Sequence, residues 1–117
     1  MSQRQVAVEV VRIIWRHSNH QERATILYNQ MVTSKWLDID ILEAEPDSLR
    51  LKVGEMSVHL TFDNRAIFYT ITEGDMAYGH TNVDVVSGTI IDKEVLAALR
   101  RLVNFAVQCR EAEILAG

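Results

Sequence analysis

Asp75, Met76 and Tyr78 stand between Gly74 and Gly79, and His80 follows at once. A carboxylate, a phenol and an imidazole this close together could move a proton, with Asp75 and His80 as the acid–base pair. The same stretch carries no serine or cysteine that could act as a nucleophile, and no Gly-Lys-Ser/Thr ending that would make it a phosphate loop. Met76 and Tyr78 instead offer the side-chain types enriched where proteins touch one another. Asp75, Met76, Tyr78 and His80 are therefore expected to form a contact loop before a catalytic one.

Four other groupings could carry chemistry. His17 and His20 have a three-residue spacing that would place two metal ligands on one helix face, but the intervening Ser18 signals a helix break and no third ligand is near. Asp38 and Asp40 share one face of a strand, with Arg50 and Lys52 expected across from them, so a solvated charge ladder accounts for the pair. His59 is expected between Arg50 and Thr70 and could serve as a base or a pH-sensitive contact, although an ordinary strand residue with a solvated tip accounts for it. Cys109 is the only cysteine, which excludes an internal disulfide and a cysteine-rich zinc site. No metal or cofactor site is expected.

The chain has 117 residues, enough to bury a core in one domain over residues 1–117. Apolar residues make up 48% and charged residues 24%, with a net charge of −4. That balance argues against a general binder of nucleic acid or anionic membranes. Arg100, Arg101 and Arg110 form a modest basic edge that keeps a nucleic-acid reading open. The apolar run over residues 6–15 is broken by Glu9 and Arg12, too short and too charged for a leader or a membrane span. The expectation is a soluble, cytoplasmic protein.

Helical spacing of Val6, Val10, Ile13 and Ile14 predicts an amphipathic helix over residues 3–16. Ser18 and Gln21 suggest a capping box ahead of a second helix, with Ala24, Leu27, Tyr28 and Met31 on one face. Four period-two runs then follow, separated by short polar turns. Two-residue turns at Gly54-Glu55 and Asn64-Arg65 pair Val53 with Met56, Leu51 with Val58, Phe62 with Ile67 and Leu60 with Tyr69, all on one face. Even-numbered pairing of the first hairpin would set Asp40 opposite Val53, so an odd loop or a bulge is needed. A three-residue loop through Glu45, Pro46 and Asp47 pairs Ile41 with Leu51 and Asp40 with Lys52. Residues 83–91 read as a fifth strand, weakened or bulged at Gly88. Asp92 then caps a long helix with Val95, Leu96, Leu99, Leu102, Val103 and Ala106 buried.

The expected architecture is a two-layer α+β sandwich: two N-terminal helices, a four- to five-stranded antiparallel meander and a long C-terminal helix. This plan is similar to that of bacterial secretion chaperones, although those place a helix inside the run of strands. Small phage-encoded inhibitors and bacterial immunity proteins share its size and acidity. The lack of assembled catalytic groups, the patterned polar sheet face and the aromatic-bearing loop point to an adaptor, chaperone-like factor or inhibitor acting on a protein partner, with self-association as a homodimer through an edge strand or a helix. The residues offered to a partner are Asp75, Met76, Tyr78, His80, Arg50, His59, Arg100 and Arg101. The alternative is a small enzyme or ligand-binding domain that uses His80 and Asp75 with His59 or Tyr78.

Overall fold

The computed structural model describes residues 1–33, 38–73 and 84–116. Their order is α1 (Gln3–His17), α2 (Gln21–Thr33), β1 (Ile39–Glu45), β2 (Ser48–Val53), β3 (Met56–Phe62), β4 (Ile67–Glu73), β5 (Asp84–Ile90) and α3 (Lys93–Ala116). The five strands form one antiparallel sheet in sequence order. The three helices lie on one face of it, with α1 packed against both α2 and α3. The α+β meander expected from the sequence is the fold.

Alternation decides which side of the sheet is buried. Leu49, Leu51, Val53, Met56, Val58, Leu60, Ile67, Tyr69 and Ile71 turn toward the helices. Val6, Val10, Val11, Ile14, Leu27, Leu99 and Val103 meet them there, and all of these join one apolar cluster. Burial at about 25 cal/mol per Å² of apolar surface makes this shared layer the main favourable term in folding. Leu102, expected in the stripe, is only half-buried, because it faces a shallow groove between α1 and α3.

The turns set the registers. Val53 pairs with Met56 across Gly54-Glu55, and Gly54 takes a φ of 59°, the conformation that glycine enters without steric cost. Phe62 pairs with Ile67. The Asp63 carboxylate accepts the N–H groups of Arg65 at 2.7 Å and Ala66 at 2.8 Å and so holds that turn.

The first hairpin is corrected in one respect. Ile41 does pair with Leu51 and Asp40 with Lys52, but Glu45 pairs with Ser48 across a two-residue turn. The odd residue is Leu42, a bulge inside β1, and no three-residue loop forms. A second correction concerns Gly88. The β4–β5 register runs without a break and Gly88 sits opposite Tyr69. A Cβ there would lie 2.2 Å from the Tyr69 phenol oxygen, so the glycine makes room for a ring. The third concerns Ser18, which forms no capping box with Gln21. Its Oγ lies 2.6 Å from the Tyr69 phenol oxygen and accepts the His20 N–H at 2.9 Å. The Gln21 amide donates to the carbonyls of Trp15 and Ser18 and closes the end of α1. The capping box stands at the start of α1, between Ser2 and Gln5. At α3 the Asp92 carboxylate accepts from Glu94 and Val95, as the sequence suggests.

Candidate functional site

Among the described residues, helices cover only one face of the sheet, and the other face carries outward-pointing side chains. Three rows of side chains cross it. They are Asp40–Lys52–Ser57–Thr72–Val85, Glu43–Arg50–His59–Thr70–Ser87 and Glu45–Ser48–Thr61–Phe68–Thr89. The pleat requires this arrangement, because every second residue of each strand must point away from the core.

Arg50 and His59 are neighbours in the middle row, as the turns imply. Arg50 is exposed and faces Glu43 on its other side. His59 is half-buried, and its Nε2 lies 3.1 Å from the Ser48 hydroxyl. Thr70 and Ser87 hydroxyls approach to 3.3 Å at the far end of the same row. Charge changes in order across the face. β1 carries Asp40, Glu43 and Glu45, β2 carries Arg50 and Lys52, and β3 and β4 are dominated by hydroxyls. On the β4–β5 side, in different rows, Phe68 of β4 is 46% exposed and Val85 of β5 is 53% exposed. Phe68 did not stand out in the sequence because the rule of alternation counts it simply as an outward position.

The remaining candidates separate. Asp75, Met76, Tyr78 and His80 lie outside the described residues. Arg100 stacks over the Phe62 ring at 5.4 Å and donates to the Asp63 carbonyl. Arg110 donates to the Ile41 carbonyl at 2.6 Å. Arg101 lines the apolar groove between α1 and α3, beside Ile13, Leu102 and Phe105. The three arginines are close in sequence but do not share a surface. His20 gives its Nε2 to the Ser87 carbonyl at 2.8 Å, while His17 lines a shallow pocket beside α3. Among the described residues, no three His, Cys, Asp or Glu side chains gather in a way that could hold a metal ion. No helix among them is long and apolar enough to cross a membrane.

Among the described residues, β1 and β5 form the two edges of the sheet, and each edge is engaged by one of the chain's own side chains. The Gly54 N–H donates to the Asp38 carbonyl, so the hydrogen-bonding groups of Asp40 point to β2 and those of Ile39 and Ile41 point outward. The same alternation, counted from the Asp63–Ala66 bond, turns Val85, Ser87 and Thr89 outward on β5. Arg110 and His20 therefore each occupy an outward carbonyl in the middle of an edge.

No family model matches the chain, and no curated protein or solved structure matches it either.

Proposed function

We propose that this protein is a small acidic interaction module that acts by binding another protein through the open face of its sheet. The observation that carries the proposal is the composition of that face: an exposed phenylalanine and valine at one side, an arginine–histidine row in the middle and hydroxyls between them. Aromatic and arginine side chains are the types enriched in protein interfaces, and aliphatic and hydroxyl groups can pack around them. The five-stranded surface is rigid because its register is fixed on the buried side, so little order is lost on docking.

Affinity capture from the native host tests this with two variants beside the natural chain. Phe68→Asp places a charge on the open face, and Val32→Asp places one on the exposed side of α2. A partner retained by the natural chain and by Val32→Asp, and lost by Phe68→Asp, supports the reading. Capture that is equal for all three contradicts it, provided that thermal unfolding shows each variant folded.

A further inference from the structure

Beside β1 an open groove of about 970 Å³ is lined by Ile39, Asp40 and Ile41 on one side and by Cys109, Ala112 and Glu113 of α3 on another, with Ser2, Gln3 and Arg4 of α1 at its end. The helix continues past the sheet here. Arg110 reaches the outer edge of β1, and Ile114 lies one turn further on the same helix face, 78% exposed. The space beneath this overhang and beside β1 has the position that a sixth strand would take.

We infer that the outer edge of β1 is a strand-addition site for an extended basic peptide segment. The backbone groups of Ile39 and the N–H of Ile41 point into the groove and can continue the ladder, which gives affinity without regard to sequence. Charge selects the partner. Asp38, just before β1, and Asp40, Glu43 and Glu45 within it lie along the open-face side of this edge, and among the described residues none of them is in a salt bridge. Inside the sheet Asp40 pairs with Lys52 and Glu43 with Arg50, so a basic strand outside would repeat the basic–acidic alternation at those two positions. A second copy fits poorly, because pairing β1 with β1 would bring Asp38 and Asp40 against the same residues. On the groove side Cys109 and Ala112 are small and leave room for aliphatic side chains. Arg110 already fills the Ile41 carbonyl, so it limits how far an added strand can run toward the Leu42 bulge.

The site is separate from Phe68 and its test does not depend on the open face. A short synthetic peptide alternating lysine and valine is titrated against the whole protein, beside the same peptide with glutamate for lysine and a third with its backbone N-methylated at alternate residues. The lysine peptide should bind, roughly tenfold or more tighter than the glutamate peptide, and more tightly at low salt. It should protect the amides of Ile39 and Ile41 from hydrogen exchange, and Asp40→Lys with Glu43→Lys should reverse the preference. N-methylation on the bonding edge should abolish binding. Equal binding of the lysine and glutamate peptides, no binding by either, or binding that leaves the Ile39 and Ile41 amides unchanged would each overturn the proposal. Protection of those amides by self-association alone would overturn it as well.

Discussion

The Tyr69 ring on β4 fills the space in front of Gly88 on β5, so a side chain on one excludes the other. Tyr69 is also tied to the turn between α1 and α2, through the Ser18 hydroxyl and the Asn19 N–H. One buried phenol thus fixes the spacing of the helix layer and an edge strand.

Gly88→Ala should destabilise the protein by about 1–3 kcal/mol, since a Cβ 2.2 Å from the phenol oxygen forces strand or ring to move. Tyr69→Phe should cost about 1–2 kcal/mol by leaving the buried Ser18 hydroxyl without that partner. In a Tyr69→Leu background Gly88→Ala should cost less than about 1 kcal/mol, because the two sites are coupled. Denaturant unfolding of the four variants reads all of these, and additive costs would contradict the close contact.

The edge bonds lead to a second expectation. His20→Ala with Arg110→Ala uncovers the outward carbonyls of Ser87 and Ile41 together. Exposed edges invite pairing between chains. The double variant should show concentration-dependent association by sedimentation, more than either single variant. If it sediments as the natural chain does at every concentration, the two bonds do not protect the edges.

Asp63 supplies a pH signature. The N–H groups of Arg65 and Ala66, in that order, hold its carboxyl below the usual 3.8, with smaller help from the charges of Arg65 and Arg100. A carboxylate whose folded value is depressed contributes its full stabilisation above the unfolded value and loses it as pH falls through the folded one. The natural chain should therefore lose stability below about pH 4 more steeply than Asp63→Asn, whose amide oxygen still accepts both N–H groups. Identical acid limbs for the two proteins would show that the turn does not depend on the charge.

Leu42 gives a direct test of the bulge. Deleting it leaves Ile41 opposite Leu51 and Glu43 opposite Arg50 in an unbroken ladder, with every core residue still facing the helices. The midpoint of thermal unfolding should move by only a few degrees. Deleting Leu51, which lies in β2 between two partners, should shift a whole strand segment to the wrong face and unfold the protein. Similar losses from both deletions would argue against the register.

Much of this is legible in the sequence because local chemistry sets it. Gly54-Glu55 and Asn64-Arg65 are turn signals, and once they are placed the period of two fixes the cross-strand pairs of β2 with β3 and of β3 with β4, Arg50 with His59 included. The first hairpin shows where local reading stops. Parity demanded an extra residue, but Leu42 follows Ile41 in an ordinary apolar run and carries no mark of a bulge. Gly88 read as a weak point in a strand, and its reason lies across the sheet in Tyr69. Ser18 read as a helix cap because its partner is far away in the chain. Arg100, Arg101 and Arg110 looked like one basic edge, yet their positions on the helix wheel send them to the β3–β4 turn, the α1 groove and β1.

The open face is the central claim, and footprinting of its side chains in the captured complex tests it most directly. Oxidative labelling compares Phe68, Val85 and His59 with Ile13, Leu102 and Phe105 in the groove on the helix side, free and bound. The account predicts that Phe68, Val85 and His59 become protected while the groove residues label as before. Protection confined to Ile13, Leu102 and Phe105, with Phe68 still fully labelled, would contradict it.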